Sequence, residues 1–480
     1  MSRSDYKHVF KVTSLFGGVQ VFTILINLLR SKIIALLLGT IGFGVAGLYN
    51  SPLAFIVSLV GLGITSSAVR DISQAYESGD PAELSRILVV FRRWVWCTAL
   101  AGVLITILLS GFLSDFSFGN KTEQISFIVL SLSVLATILQ SGYSAILRGT
   151  RLLKDVARST LYGAILGLVF TIPFYYYYGI KGIVPAILVN ALIALLFSYI
   201  YTRRISLTDV RVTWKETWNS GLSMVNLGIM MSLAGLIGNG VAYLVIAFIG
   251  RYSDLETVGL YNAGWGITNQ YISLVFMAMA VDYFPRLSAI HTDRLKLNQA
   301  VNQQAEIAVL ILGPLMIIYL IVLPVFIPVI LSESFMGILE FTQWIVLGVL
   351  FKATSWALGF IILAKGDSRL FLITEVLANG LILIGYLSGF IMGGLKGIGI
   401  AFVVLYLIHA LLMLIISYKK YGFRLDPAFS RILTIQFLLQ LAAFITMSLL
   451  EYKSALLICV PVLILSSVHS IIILKRRIWN

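Results

Sequence analysis

Acidic side chains are scarce in this chain. Its 480 residues hold 21 Asp and Glu against 35 Lys and Arg, and charged residues of both signs make up only 12%. Soluble domains carry about 25% charged residues, so a soluble enzyme is excluded. Cysteine is nearly absent. Cys97 and Cys459 both sit in apolar runs, which excludes a disulfide framework and a cysteine metal site. No segment between apolar runs is long enough for an ATPase or glycosyltransferase domain. The Walker A, H-E-x-x-H, nucleophile-elbow and zinc-ligand spacings are missing. No pair of carboxylates is placed for acid–base work. No metal and no cofactor is expected.

What is present is apolar length. Hydrophobic residues make up 59% of the chain, and the mean hydropathy is +0.96. Fourteen apolar segments, from 13–39 to 455–474, are long enough to span a bilayer. The first is too long for a signal-peptide core and lacks a small-residue cleavage site, so it reads as the first span. The expected fold is an all-α integral membrane protein with about 14 transmembrane helices. With the N-terminus inside, 27 of the 35 basic residues fall on the cytoplasmic side. Five fall outside, and three (Arg30, Lys32 and Lys352) lie within spans. That bias predicts both termini in the cytoplasm. It also accounts for the net charge of +14 without a nucleic-acid partner, since no basic domain collects the charge. Tyr175 to Tyr178 read as an aromatic belt, with sugar stacking as the alternative, and Ser85 to Trp96 as an interfacial anchor.

The first span carries Gln20, Thr23, Asn27 and Arg30 at steps of 3, 4 and 3, one polar stripe on a helix. Phe16 extends the same face. Lys32 lies about 200° round the helix from Arg30. An arginine inside a span is a functional-site hypothesis: Arg30 lines a wet cavity and receives an anion there. The alternative is snorkelling to the outer interface. Lys32 and the mid-span Lys352 pose the same choice.

A short repeat organises the rest. Gly47-Leu48-Tyr49-Asn50 opens the second span and Gly259-Leu260-Tyr261-Asn262 the eighth. Six spans separate them, so both run in one direction. This predicts two six-helix lobes in parallel pseudo-repeat around a central cavity. The lobes are 1–201 and 202–420, with accessory spans in 421–480. Asn50, Asn239, Asn262 and Asn269 either line that cavity or tie helices together. Asp282 and Glu375 lie near cytoplasmic span ends and His409 inside the twelfth span. Each reads as interfacial or packed, with ion coupling as the alternative. Buried cations without buried acids suit an anion such as a phosphate or pyrophosphate, not a cationic drug.

The run Arg30-Ser-Lys32-Ile-Ile-Ala35-Leu-Leu-Leu38-Gly39-Thr-Ile-Gly42-Phe-Gly44 continues into GVAGLYNS and GLGITSSAVRDIS, then ESGD ahead of FRRW. These motifs resemble the O-antigen translocases. Those belong to the polysaccharide-transport family of the multidrug/oligosaccharidyl-lipid/polysaccharide flippase superfamily. The motif likeness covers about the first hundred residues. It implies twelve helices in two lobes with one or two accessory helices. It also implies a flippase, and no enzyme, in a bacterial plasma (inner) membrane, with an H+ or Na+ gradient as the driving force by analogy. The implied substrate is an undecaprenyl-pyrophosphate-linked oligosaccharide, with glycan polymerase machinery as a neighbour. Arg30 and Lys32 match the family's basic first-helix positions, which are assigned to the diphosphate; Lys352 has no motif match. The rivals are a cation or drug antiporter of the same fold and an integral-membrane enzyme acting on lipid-linked glycans.

Overall fold

The computed structural model describes the backbone of residues 3–479, apart from 206–207, and the side chains of 18–477, apart from 206, 207, 230, 271 and 281. The side chains of Arg3, Lys7, Lys11 and Phe16 lie outside the described residues. Thirteen α-helices appear, with no strand among the described residues. They are α1 (Arg3–Gly61), α2 (Ile64–Glu77), α3 (Pro81–Phe118), α4 (Gln124–Gly149), α5 (Leu153–Tyr178), α6 (Ile183–Thr202) and α7 (Trp214–Tyr252). Then follow α8 (Leu255–Ala289), α9 (Arg294–Ile330), α10 (Leu339–Ala364), α11 (Ser368–Tyr421), α12 (Pro427–Leu449) and α13 (Tyr452–Trp479).

Eleven helical stretches have the length and hydropathy of a membrane span. Three of them are broken inside. The breaks are at Gly39 in α1, at the 3-10 turn Gly179–Gly182 between α5 and α6, and at Gly393–Gly394 in α11. Counting each side of a break separately recovers the fourteen segments expected from the sequence. Gly39 has φ 63° and Gly394 φ 57°, conformations that cost an L side chain energy and glycine little. Large apolar side chains point outward along many helices, for example Leu108 and Leu457, as lipid-facing surfaces require.

Five of the acids serve helix starts. Asp80, Asp293, Asp367 and Asp426 accept backbone N–H bonds at the N-termini of α3, α9, α11 and α12. Thr213 and Glu216 form a capping box on α7. All five stand at helix N-termini, where orphan amides and the positive helix end favour an acceptor. The longest segments between apolar runs, around 68–87, 202–220 and 285–306, have room for short interfacial helices. The first is present as α2, whereas 214–220 and 285–289 continue the long helices α7 and α8.

Asp367 also joins the two ends of α11. Its Oδ2 accepts from the Lys420 ammonium and, at 3.2 Å, from the Tyr421 hydroxyl. Lys420 first, and the Leu370 amide second, hold this carboxyl below the usual carboxylate range. A depressed pKa contributes stability above the unfolded value, and that stability is lost as pH falls through the folded one. Asp367→Asn is therefore expected to melt below wild type at pH 7. The gap should close as the pH falls below about 4; a gap independent of pH would refute the ion-pair role.

Packing divides the chain into two compact units, Met1–Gly259 and Leu260–Asn480. In the first, α7 packs on α1, α2 and α3. Ser67 Oγ donates to the Met224 carbonyl at 2.7 Å. The aromatic core contains Tyr49, Phe91 and Phe127. In the second, α10 is the innermost helix. The accessory helices α12 and α13 are fixed by buried glutamines. Gln440 Nε2 donates to the Val346 carbonyl at 2.7 Å, and Gln436 bonds with Ser466 and Ser470 of α13. The repeated tyrosines, Tyr49 and Tyr261, are equally buried in their own units.

A guanidinium beside an amide-lined cavity

Arg30 lies on the first part of α1 and packs against α5 and α6. Its Nη2 donates to Asn190 Oδ1 on α6 at 2.6 Å. Gly167 on α5 makes the room: a Cβ there would stand 2.4 Å from Asn190 Oδ1 and 3.5 Å from Arg30 Nη2. Arg30 Nε is buried without a hydrogen-bond partner. No carboxylate pairs with this side chain among the described residues. The guanidinium is thus held by one neutral amide and keeps its charge for something else.

Tyr175 departs from the expected aromatic belt. Tyr176, Tyr177 and Tyr178 are 64–77% exposed, but Tyr175 is only 7% exposed and lies within electrostatic reach of Arg30. Helical geometry is the reason, since four consecutive residues cannot share one face.

Asn190 also lines a cavity of about 560 Å³ inside the first unit. Its polar wall comprises Asn50, Ser58, Ser133, Thr137, Gln140 and Asn239 from α1, α4 and α7. Asn239 Nδ2 donates to Ser58 Oγ at 2.6 Å, and Asn50 Nδ2 to the Ala46 carbonyl at 2.8 Å. A second hollow of about 250 Å³ shares Val57 and Ser58 and continues to Thr65, Ser66, Ser141 and Ser232. No charged side chain lines either one. Amides and hydroxyls both donate and accept, which suits a polyhydroxylated ligand.

Of the other stripe residues, Gln20 and Asn27 are exposed. Thr23 Oγ1 donates back to the Val19 carbonyl. Lys32 is half-buried.

In the second unit the structure regroups the remaining candidates. Lys352 on α10, Glu375 on the first part of α11 and His409 on its second part line one cavity of about 290 Å³. Lys352 Nζ lies 5.4 Å from the Tyr406 ring centre and 5.9 Å from that of Phe402, in cation–π range. Asn379 Nδ2 donates to the Glu375 carbonyl at 2.9 Å. Glu375 was expected at an interface; here it lines a cavity beside a lysine. Lys352 also borders a narrow crevice with Trp265, Thr268 and Asn269. Asn262 has a buried, unpartnered amide nitrogen. Asp282 is exposed, 3.9 Å from Arg286 one turn on. Among the described residues, no three His, Cys, Asp or Glu side chains are grouped as metal ligands are.

Sequence reasoning missed Asn190, Gln140 and the inward turn of Tyr175. Asn190 did leave a trace, as the lone amide in the apolar run of α6.

Comparison with known proteins extends this picture. The fold is similar to the solved structure "Lipid II flippase MurJ, inward closed conformation", with a TM-score of 0.73 and 16% identity over 97% of this chain and 100% of that one. It is also similar to a multidrug resistance MATE family transporter of the MOP superfamily in an inward-facing conformation. There the TM-score is 0.69 and the identity 17%, over 85% of this chain and 96% of that one. Among curated proteins, the Lipid III flippase of Escherichia coli K12 is 22% identical over 360 residues, 73% of this chain and 84% of its own length. The Shigella flexneri Lipid III flippase matches to the same extent. The profile of the polysaccharide biosynthesis protein family matches residues 33–340, nearly two thirds of the chain, and this multi-pass membrane protein therefore belongs to that family.

Proposed function

We propose that this protein is a flippase, not an enzyme, that carries a polyprenyl-diphosphate-linked oligosaccharide across a bacterial inner membrane. The substrate would be the repeat unit of an O-antigen or similar surface polysaccharide, and transport would proceed by alternating access. One observation carries this reading: a guanidinium with no acid partner stands beside a cavity lined by neutral amides and hydroxyls. An arginine grips phosphate oxygens in a fork. The amides and hydroxyls exchange hydrogen bonds with sugar hydroxyls. The cavity volume lies within the usual range for ligand sites, about 300–1,000 Å³. The fold and the names of the similar proteins support the reading.

Coupling is assigned to the second unit. A proton taken by Glu375 or His409 changes the charge of the Lys352 cavity by one. Opposite-charge partners lower the cost of holding that change inside a membrane. A cation or drug antiporter would use the same carboxylate, but the Lys352 ammonium in that cavity opposes a cationic cargo.

Reconstitution in proteoliposomes tests both parts. Purified protein should move a fluorescent polyprenyl-diphosphate oligosaccharide between leaflets, faster under an imposed pH gradient. Glu375→Gln should remove that acceleration, which for coupling of ordinary size is about 5- to 150-fold, while substrate binding persists. Lys352→Leu should do likewise. No movement of substrate by wild type would sink the flippase reading; an unaltered gradient response in both variants would sink the coupling site alone.

A further inference from the structure

We infer that the groove between α3 and α4, at their basic ends, binds an anionic phospholipid through Arg92. The run Arg92-Arg93-Trp94-Val95-Trp96 divides between two faces of α3. Arg93 and Trp94 are consumed by packing on the chain leading into α7. Arg93 Nη1 donates to the Val212 carbonyl and to Thr217 Oγ1 at 2.9 and 2.8 Å. Trp94 Nε1 donates to the Thr217 carbonyl at 2.8 Å, and its ring stacks on Trp218. Arg92 and Trp96, one turn apart, border the other side. There a groove is walled by Val95, Leu139, Tyr143 and Ile146. Gly142 closes its floor, since a Cβ there would stand 2.6 Å from Val95 Cγ1.

The groove holds an unanswered donor. Arg92 Nε is buried without a hydrogen-bond partner, and Arg92 forms no ion pair among the described residues. The acids of the surrounding helix ends are engaged elsewhere: Asp71 with Arg70, Glu77 with Arg151, and Asp155 with Arg158 and Arg204. One guanidinium without an acid partner thus borders an otherwise apolar and aromatic groove. A buried donor of this kind costs about 1–3 kcal/mol when unmet, so an acceptor belongs there.

Apolar features around the groove fit a lipid rather than a free ion. Trp96, Leu100, Leu104 and Leu108 are each 45–72% exposed and repeat every four residues. They form a continuous apolar ridge running up α3 from Arg92, a bed for an acyl chain. Trp96 and the Tyr143–Tyr199 pair have the amphipathic character of side chains at headgroup depth. Charge complementarity selects an anionic headgroup. A zwitterionic one would bring its own cation toward Arg92, while a phosphodiester with net charge accepts from the guanidinium without one.

Native mass spectrometry of the full chain in mild detergent tests this, with added phosphatidylglycerol or phosphatidylcholine. Wild type should retain phosphatidylglycerol in preference to phosphatidylcholine. Arg92→Gln should lower that retention about tenfold, and Arg92→Lys should restore part of it. Arg86→Gln, at an exposed arginine on the same helix, should change nothing. Folding of each variant is checked by its melting temperature. Equal retention of both lipids, undiminished retention in Arg92→Gln, or an equal loss in Arg86→Gln would each overturn the site. So would an Arg92→Gln loss seen for a polyprenyl diphosphate but not for phosphatidylglycerol, which would make the groove a substrate path.

Discussion

Arg30→Ala is expected to abolish surface glycan in a strain that depends on this protein, while its amount in the membrane stays at the wild-type level. The two halves of that expectation come from different physics. Structurally, Arg30 makes one hydrogen bond, to Asn190 Oδ1. Leaving that oxygen unpaired costs about 1–3 kcal/mol, which a protein of this size survives. Functionally, the guanidinium has no acid partner, so its charge is available to a ligand. On the proposed function, Arg30→Ala loses a forked, charge-assisted contact to a diphosphate, and with it both grip and orientation. Arg30→Lys keeps the charge but not the fork and should retain only part of the activity. Asn190→Leu keeps the charge but frees the side chain, and should weaken transport without changing the substrate class. Full surface glycan from Arg30→Ala at normal expression would end the anion-site reading.

Gly397→Val should leave little folded protein. The chain reverses at Gly393–Gly394 inside α11, and the two limbs cross where Gly389 meets Gly397. A Cβ on Gly397 would stand 1.8 Å from the Gly389 carbonyl oxygen, and one on Gly389 would stand 2.5 Å from the Gly397 carbonyl oxygen. The obstacle is backbone on both sides, so no rotamer change relieves it, and the cost should exceed the ~1–3 kcal/mol usual for overpacking. The damage would spread, because this reversal sets Tyr386 and Phe402 against Trp265. It also brings Glu375 and His409, on opposite limbs, into one cavity. Gly380→Ala is the matched control, since nothing lies within 4 Å of a Cβ there. Fluorescence-detected size exclusion and melting temperature read both; a Gly397→Val protein melting like wild type would refute the close crossing.

The contrast between Arg30 and Lys352 shows what could be read in advance. Arg30 stood out because its stripe is local: steps of 3 and 4 along one helix report a shared face whatever surrounds it. Its partner Asn190 lies 160 residues away, and no periodicity links the two. Lys352 was visible as a mid-span cation, but its neighbours were not. Glu375 looked interfacial because it sits near the end of its apolar run. It becomes a cavity residue only after α11 folds back on itself. Tyr175 shows the same limit at one residue's resolution. The aromatic run reads as a belt, and only the packing of α5 on its neighbours decides which of the four rings turns inward.

The sequence alone therefore determined the helical class, the fourteen spans, the uneven distribution of basic charge and the presence of cations within the spans. Those properties follow from hydrophobic length and helical period, which are short-range. The tertiary structure decided which polar groups share a cavity and which charges go unanswered. In a bundle of similarly apolar helices, hydrophobicity does not distinguish one neighbour from another. The choice falls to close approach at glycines such as Gly167 and Gly397 and to single hydrogen bonds such as Arg30–Asn190, which join residues far apart in the chain.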